Sequence, residues 1–330
     1  MSVLVTGATG FLGAPLVDRL LHAGVRDLRI GVRPGSRRER LDAVLARHGA
    51  RAELVPGNLL SPAETARALD GVTTVYHLAA SLRGAPADMT LHTVVGSKNL
   101  LEAAAGRKLR FVLVSSFSVY GVAGLPRGAT VDENTPLETE PPRRYPYAQV
   151  KLRQERLFEE AAARHGFELA IVRPGVIYGP GGSPFSTRVG LQLPGLVLSL
   201  GGSNLLPLSY VDNCAEAIVV AGQARGRVVV NVHDDDLPTC RAYLKAYRRA
   251  VAPIRTVPVP YPALRILSSV VERYNRMSRG QLPAIFTPYK SATAWGGNRF
   301  DTAHLTSLGW RQLVPTEEGM RRTFEWLKQR

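Results

Sequence analysis

The chain has 330 residues, of which 45% are hydrophobic and 21% are charged, a balance typical of a globular protein with one large domain or two lobes. The formal net charge is +15, but the excess is mostly scattered arginine without interleaved aromatic residues, so we expect no nucleic-acid partner. The two cysteines, Cys214 and Cys240, lack metal-ligand spacing, which predicts neither a metal site nor a disulfide framework. No basic-then-apolar leader precedes the first strand and no apolar stretch is long enough to span a bilayer, so we expect a cytoplasmic protein without stable membrane insertion.

The first predicted strand, 2–5, ends abruptly in a glycine-rich turn. Gly7, Gly10 and Gly13 are each separated by two residues, and an amphipathic helical pattern follows. A strand, a glycine turn and a helix are the context of a dinucleotide fingerprint, although the first gap is one residue longer than usual. We predict that Gly7 makes the tight turn and that Gly10 lets backbone amides approach a pyrophosphate. Gly13 lets the helix pack close to the strand.

Apolar strands alternate with helical stretches through the first half of the chain. This alternation predicts a Rossmann-type, doubly wound α/β fold with a parallel sheet. After Arg173, proline and glycine recur, which indicates a smaller, mostly C-terminal substrate lobe. We assign 1–174 plus 208–236 to a dinucleotide-binding domain and 175–207 plus 237–330 to the substrate lobe. The predicted strands are 2–5, 28–32, 52–55, 72–78, 109–115, 169–172 and 228–232, and the predicted helices are 40–48, 62–69, 91–105 and 146–164.

Tyr147 and Lys151 stand four residues apart in a predicted helix and are therefore neighbours on one face. A phenol with a pKa of about 10 is a poor acid or base at neutral pH, and a nearby cation stabilises its phenolate. Taken alone, this spacing is common and usually structural. A functional role for the pair is favoured by a hydroxyl-rich stretch, 115–121, at the end of the fifth predicted strand. The ligand crevice of such a sheet lies at this end.

With these residues together, the chain resembles the extended short-chain dehydrogenase/reductase family, also called the NAD-dependent epimerase/dehydratase family. The resemblance covers nearly the whole length and is nearer to the 3β-hydroxysteroid dehydrogenase and dihydroflavonol reductase members than to the sugar epimerases. Its landmarks, beyond the glycine turn and the Tyr147/Lys151 pair, are Gly57-Asn58-Leu59, His77-Leu78-Ala79-Ala80, 96–104, 173–180, Tyr210-Val211-Asp212-Asn213, Thr287-Pro288-Tyr289, Phe300-Asp301 and Leu308-Gly309-Trp310.

The resemblance implies a catalytic role for three residues. Tyr147 is the acid/base, Lys151 tunes it and holds the nicotinamide ribose, and Ser116 hydrogen-bonds the reacting oxygen. Ser116 is preferred to Ser115 because the family's serine stands three residues before the Val-Tyr-Gly at 119–121. The cofactor contacts that the resemblance implies are Gly7, Thr9, Gly10, Phe11, Leu12, Gly13, Asn58, Leu59, Ala79, Ala80, Tyr147, Lys151, Pro174 and Val176.

Two further positions, Thr93 and His77, are not assigned a catalytic role. Thr93 stands where the family commonly has asparagine, which puts in doubt a fourth polar catalytic contribution from this position. His77 is interpreted as a satisfied histidine at a strand end rather than as a base.

The second predicted strand ends in Arg33, and Arg37 and Arg38 follow. An acidic residue at this point favours NAD by accepting hydrogen bonds from the adenosine ribose, whereas an arginine pairs with the 2′-phosphate of NADP. We therefore predict NADP (NADPH) as the cofactor, with Arg33 and Arg38 as contacts and NAD as the alternative. The competing interpretation is that Arg33 merely points into solvent.

The stretches expected to form the substrate pocket are apolar, whereas a sugar diphosphate needs polar and basic groups. They comprise eight apolar residues between 185 and 206 and a helical pattern over 262–274 with an apolar face. Most such stripes are core packing; the alternatives are a wall over an apolar pocket and a helix touching a membrane. The residues concerned are Phe185, Val189, Leu191, Leu193, Leu196, Val197, Leu205 and Leu206, then Leu264, Leu267, Val271 and Tyr274.

We therefore predict a ketoreductase of secondary-metabolism type that acts on an apolar small molecule. Hydride would reach the carbonyl carbon from NADPH while Tyr147 protonates the oxygen and Ser116 holds it. Two alternatives stay open, namely an NDP-sugar epimerase or dehydratase with tightly held NAD and a non-catalytic dinucleotide-binding sensor. The resemblance also implies a homodimer formed through the helices at 91–105 and 146–164.

Overall fold

The computed structural model describes residues 2–82, 84–278 and 286–329. Strands and helices alternate along the first half of the chain, because apolar runs rich in valine and leucine are separated by amphipathic stretches. The first elements are β1 (Ser2–Thr6), α1 (Gly13–His22), β2 (Leu28–Val32), α2 (Glu39–Arg47), β3 (Glu53–Pro56), α3 (Pro62–Ala68), β4 (Val72–His77), α4 (Pro86–Met89), a π-helical turn (Thr90–Val95), α5 (Gly96–Ala104), β5 (Arg110–Val114), a 3₁₀ turn (Phe117–Val119), β6 (Thr130–Val131), a second 3₁₀ turn (Pro141–Arg143), α6 (Pro146–His165) and β7 (Glu168–Pro174).

Shorter strands and more irregular connections follow. The helix predicted over 91–105 is divided, since its first part is the π-helical turn and only its second part is α-helical. The later elements are β8 (Val176–Tyr178), β9 (Gly190–Leu193), β10 (Leu196–Ser199), β11 (Leu208–Tyr210), α7 (Val211–Gln223), β12 (Val228–Val232), α8 (Cys240–Ala250), β13 (Arg255–Pro258), α9 (Tyr261–Met277), α10 (Pro288–Trp295), β14 (Arg299–Phe300), α11 (Ala303–Ser307) and α12 (Thr316–Lys328).

Seven strands form one parallel sheet in the order β12-β7-β5-β4-β1-β2-β3. The register pairs Thr6 with Gly31 of β2 and with His77 of β4, so these three strands end at the same level. The chain returns from the edge strand β3 to pair β4 beside β1, which makes the gap after β1 the topological switch point. The predicted Rossmann-type, doubly wound fold is confirmed.

Each face of this sheet has its own hydrophobic core. Alternate residues of one strand point to opposite faces, so Val3 and Val5 join the core under α1 and α7, whereas Leu4 joins the core under α3, α5 and α6. The same alternation holds in β5, where Phe111 packs on one face and Val112 on the other. Helices therefore cover both faces and leave the carboxyl ends of the strands free to carry ligand-binding loops.

The small sheets lie outside the main one. β9, β10 and β13 form a three-stranded sheet, β8 pairs with β11, and β6 pairs with β14. Of the apolar residues predicted to line the pocket, Val189, Val197 and Leu206 are buried in the main core, which is the core-packing alternative. The two-lobe boundaries and the homodimer stay predictions.

The apolar face predicted for α9 is only partly buried. Leu264 is buried against α10, but Leu267 and Tyr274 are 49% and 53% exposed. The buried residues of this helix are Leu264 and Ser268, and the Ser268 hydroxyl is hydrogen-bonded to the Ser291 hydroxyl at 2.7 Å. No helix within the described ranges is long and apolar enough to cross a bilayer.

Candidate active site

The glycine turn after β1 leaves no room for side chains. Gly7 has a φ of 77°, a left-handed conformation that favours glycine, and a Cβ there would lie 2.9 Å from the Ala79 nitrogen. A Cβ on Gly13 would lie 2.3 Å from the Gly7 oxygen, so only glycine lets α1 pack this close to the turn. Gly10 is exposed at the tip. A bare turn in front of a helix N-terminus fits a dinucleotide pyrophosphate.

Phe11 connects this turn to a loop of the later half. Its ring packs against Gly182, where a Cβ would lie 2.8 Å from the ring. Arg40 places its guanidinium 5.8 Å from the centre of the same ring and donates to the Pro180 carbonyl at 3.4 Å. The predictions from sequence did not include Arg40 or Gly182, because only the fold brings these positions together. Thr9 is half-buried in the turn, and Leu12 is buried beneath it.

The end of β2, which was predicted to face the adenosine of the cofactor, is basic. Arg33 follows β2 directly and is exposed, and Arg38 is exposed with Asp42 at 3.9 Å as a distant ion-pair partner. The Gly57 amide donates to the Val32 carbonyl at 3.0 Å, which ties the loop after β3 to the end of β2. The cofactor-binding residues predicted after β2 and after β3 therefore lie at the same edge of the sheet.

Asn58 and Leu59, the next two residues of that loop, are held by local contacts. The Asn58 side-chain oxygen accepts from the Leu60 amide at 3.1 Å. Leu59 packs against Gly96, and its carbonyl accepts from the Asn99 amide group at 2.9 Å. After β4, Ala79 lies against Gly7 and Ala80 is half-buried. These contacts place the predicted adenine and cofactor-side segments around the glycine turn.

Ser116 and Tyr147 meet, although 31 positions separate them in the chain. Ser116 has an extended φ of −168° just after β5, and its Oγ accepts from the Ser118 amide at 3.2 Å. Tyr147 lies in the first turn of α6, with its phenol near enough to the Ser116 hydroxyl for that hydroxyl to affect the pKa of the phenol. Burial raises the pKa of Tyr147, and the interaction with the Ser116 hydroxyl opposes that rise. The phenol is therefore protonated at neutral pH and able to donate.

Lys151 lies one turn further along α6, on the same face. Its ammonium donates to the Val114 carbonyl at 2.6 Å and to Gln154 Oε1 at 2.5 Å. Burial lowers the pKa of Lys151 to about 7, while the negative charge of Glu155 acts in the opposite direction. The lysine is thus anchored to the end of β5, the strand that leads to the predicted catalytic serine.

A buried polar network extends from Lys151 to β1. Gln154 Nε2 donates to Ser97 Oγ at 2.8 Å, and Ser97 Oγ contacts His77 Nε2 at 3.0 Å. The other ring nitrogen of His77 is hydrogen-bonded to Thr6 Oγ1 at 2.8 Å. Burial and the charge of Lys151 lower the pKa of His77 to about 3, so the ring is neutral and satisfied, in line with the interpretation from sequence. Gln154 was not predicted, although its spacing from Lys151 puts it on the same face of α6.

Thr93 holds the loop after β4 by a hydrogen bond. It is fully buried in the π-helical turn, and its hydroxyl accepts from the Ser81 amide at 2.9 Å. Its carbonyl accepts from Ser97 Oγ at 2.6 Å. Both contacts are structural and connect the π-helical turn to the network around His77.

Pro174 ends β7 and Val176 begins β8, on either side of a close approach. A Cβ on Gly175 between them would lie 2.3 Å from the Pro207 oxygen and 3.1 Å from the Phe117 ring. The Val176 amide donates to that same Pro207 carbonyl at 2.7 Å. The segment predicted to line the nicotinamide end is therefore packed directly against the turn that follows Ser116.

A buried ion pair lies under the site. Arg173 and Glu155 are 3% and 0% exposed, respectively, and the Arg173 guanidinium donates to both carboxylate oxygens. Ser115 also donates to Glu155, and Arg173 Nη1 donates to the Tyr120 hydroxyl at 2.9 Å. Ser115 is thus used structurally, which leaves Ser116 as the serine that faces Tyr147.

Two other features contain none of the predicted catalytic or cofactor residues. A cavity of about 910 Å³ lies between the β12–α8 loop and the start of α12, and its lining includes Phe300 and Leu205, the latter predicted to line the substrate pocket. Asp18, His22 and His48 cluster on the surface, but the Asp18 carboxylate already contacts His48 at 2.8 Å and Arg47 at 3.3 Å.

A parallel sheet with a glycine turn at its switch point, together with Ser116, Tyr147 and Lys151, defines an NAD(P)-dependent oxidoreductase of the extended short-chain dehydrogenase/reductase type. The chain belongs to the NAD dependent epimerase/dehydratase family, whose profile matches residues 3–232.

The similarity to known proteins of this kind covers nearly the whole chain. It is 25% identical to the 2-alkyl-3-oxoalkanoate reductase of Shewanella oneidensis, over 96% of this chain and 84% of that protein. It is 24% identical to a 3β-hydroxysteroid-dehydrogenase/decarboxylase of Arabidopsis thaliana, over 98% and 78%, respectively, in line with the resemblance seen in the sequence. The solved UDP-glucose 4-epimerase of Thermus thermophilus, in complex with NAD, superposes with a TM-score of 0.72 over 99% of both chains at 22% identity, which shows the shared fold.

Proposed function

We propose that the protein is an NADPH-dependent ketoreductase that acts on an apolar small molecule. The cofactor supplies the hydride when it is bound. The observation that carries the proposal is that the fold brings the Tyr147 phenol next to the Ser116 hydroxyl. Because burial raises the pKa of the phenol, Tyr147 holds its proton at neutral pH until the reduced carbonyl oxygen takes it, while Ser116 keeps that oxygen in place.

The similar proteins support this choice of reaction. Two of them are named for an oxoalkanoate and a 3β-hydroxysteroid, both largely apolar skeletons that carry a ketone or an alcohol. The likeness to the UDP-glucose 4-epimerase is below 25% identity and bears on the fold alone. Two alternatives, the sugar-nucleotide enzyme and the non-catalytic sensor, would use the same dinucleotide crevice. Net oxidation of NADPH distinguishes the ketoreductase from both.

The direct test is to follow the cofactor. We expect the purified protein to oxidise added NADPH in step with the appearance of an alcohol on a panel of apolar aliphatic, aromatic and steroid ketones. Extraction of the denatured protein identifies any dinucleotide that copurifies. Retained NAD with interconversion of UDP-sugars and no net oxidation would establish the epimerase alternative, and a thermal shift with NADPH without turnover on any substrate would establish the sensor.

We also propose that Arg33 and Arg38 select NADPH. Replacing both by serine removes two exposed cations from the end of β2, and charge-assisted hydrogen bonds to a phosphate are strong. We expect the dissociation constant for NADPH to rise by about 10- to 100-fold in fluorescence titrations, with that for NADH nearly unchanged. Arg51→Ser, an exposed change on the same half of the chain, serves as the control. Equal weakening of both cofactors would refute the assignment.

A further inference from the structure

Three hydrogen-bond donors next to the predicted catalytic serine lack acceptors. Within the described part of the chain, the Arg188 guanidinium makes no ion pair and no hydrogen bond, and it lies 5.3 Å from the centre of the Phe300 ring. Ser118 Oγ and Arg144 Nε are buried and have no hydrogen-bond partner. We call Ser118, Arg144 and Arg188 the donor cluster. Buried polar groups are normally paired, so the two buried unpaired atoms, together with the unpaired guanidinium of the half-buried Arg188, indicate a ligand.

The donor cluster adjoins the catalytic residues. Phe300 stacks on Phe117 with ring centres 3.9 Å apart and planes 3° from parallel, and Phe117 directly follows the predicted catalytic serine. Arg144 Nη2 donates to the Ser118 carbonyl at 2.9 Å and precedes Tyr147 by three residues. The two stacked rings therefore form an apolar wall that runs from Phe117, next to Ser116, to Phe300, next to the half-buried Arg188.

The charge of Arg188 is not compensated. Arg144 is paired with Glu138 at 2.8 Å, and that carboxylate also accepts from Tyr289 at 2.5 Å. Burial and the neighbouring charge of Arg144 lower the pKa of Arg188 to about 10, while Cys240 acts in the opposite direction, so Arg188 is still a cation at neutral pH. A contact with an aromatic face offsets only part of the cost of removing a cation from water. An anion beside Arg188 would offset the rest.

We propose that Arg188 binds the carboxylate of an oxo-acid substrate whose apolar part lies along the Phe117–Phe300 wall. This inference rests on the proposed ketoreductase function and names its substrate class. A guanidinium matches a carboxylate with two parallel hydrogen bonds, and Ser118 Oγ and Arg144 Nε are further donors. A single uncompensated cation suits one carboxylate better than the two charges of a sugar diphosphate.

The test measures binding by calorimetry to the NADPH-saturated protein, with decanoate, methyl decanoate and UDP as probes. We expect decanoate to bind at least about 10-fold more tightly than its methyl ester. Arg188→Met should reduce this ratio to about 2 or less, and Arg188→Lys should restore it in part, since it keeps the charge and loses the planar fork. Arg265→Met, an exposed change of equal charge, should leave the ratio as in the wild type.

Three results would overturn the assignment. The first is a decanoate preference over the methyl ester that is the same in Arg188→Met and the wild type. The second is a reduction of this preference in Arg265→Met as large as that in Arg188→Met, which would mean that the preference comes from the general surface charge. The third is Arg188-dependent binding of UDP without a preference for decanoate. If Arg188→Met does not fold, an unchanged ratio in Arg188→Lys overturns the proposal. The probes contain no ketone, so the ratio tests Arg188 whether or not the protein reduces carbonyl compounds.

Discussion

Replacing Tyr147 by phenylalanine is expected to abolish turnover while NADPH still binds. The change removes one oxygen, the proposed proton donor, from a half-buried ring that is already seated in the first turn of α6. General acid catalysis contributes about 10²- to 10⁴-fold, so we expect kcat to fall by at least that range. The measurement is steady-state NADPH oxidation with any ketone that the panel identifies, beside a fluorescence titration of NADPH.

Tyr274→Phe is the matched control, because this phenol is exposed on α9. It should leave both kcat and the NADPH dissociation constant unchanged. If Tyr147→Phe keeps more than about a tenth of the wild-type kcat, Tyr147 is not the proton donor and its proximity to Ser116 has only a structural role.

Glu155→Ala should cost more stability than any surface change. It leaves the buried Arg173 guanidinium without its carboxylate and Ser115 without its acceptor. Breaking a buried pair in this way costs about 3–5 kcal/mol, because the remaining charge is still out of water. We expect that loss in the free energy of unfolding measured with urea. The pKa of Lys151 should fall further as well, since Glu155 is the group that raises it.

Glu159→Ala, one turn further along α6, provides the comparison. Its partner Arg227 is 64% exposed, and exposed pairs contribute about 0–1 kcal/mol. Similar losses in the two variants would mean that water reaches the Glu155–Arg173 pair and that it does not organise the base of the site.

Local sequence patterns were enough to predict the secondary structure and the short motifs of the first half of the chain. The alternation of apolar strands and amphipathic helices, the turn from Gly7 to Gly13 and the pairing of Tyr147 with Lys151 all follow from backbone periodicity within a few residues. The seven strands of the main sheet and the four helices given ranges were therefore predicted to within a few residues, apart from the π-helical turn at Thr90–Val95, whereas α7, α8, α10 and α12 were not predicted. The family's ordered landmarks added Ser116 to the pair.

The contacts between side chains that are distant in the chain depend on the folded arrangement of the sheet and helices. The sheet order brings the end of β5 to the first turn of α6, so Ser116 reaches Tyr147. It also determines that Gln154 holds Lys151 and that Arg188 has no acid beside it within the described residues. No local pattern encodes such partners, because burial and pairing depend on elements that are distant in the chain and adjacent only once the sheet has formed.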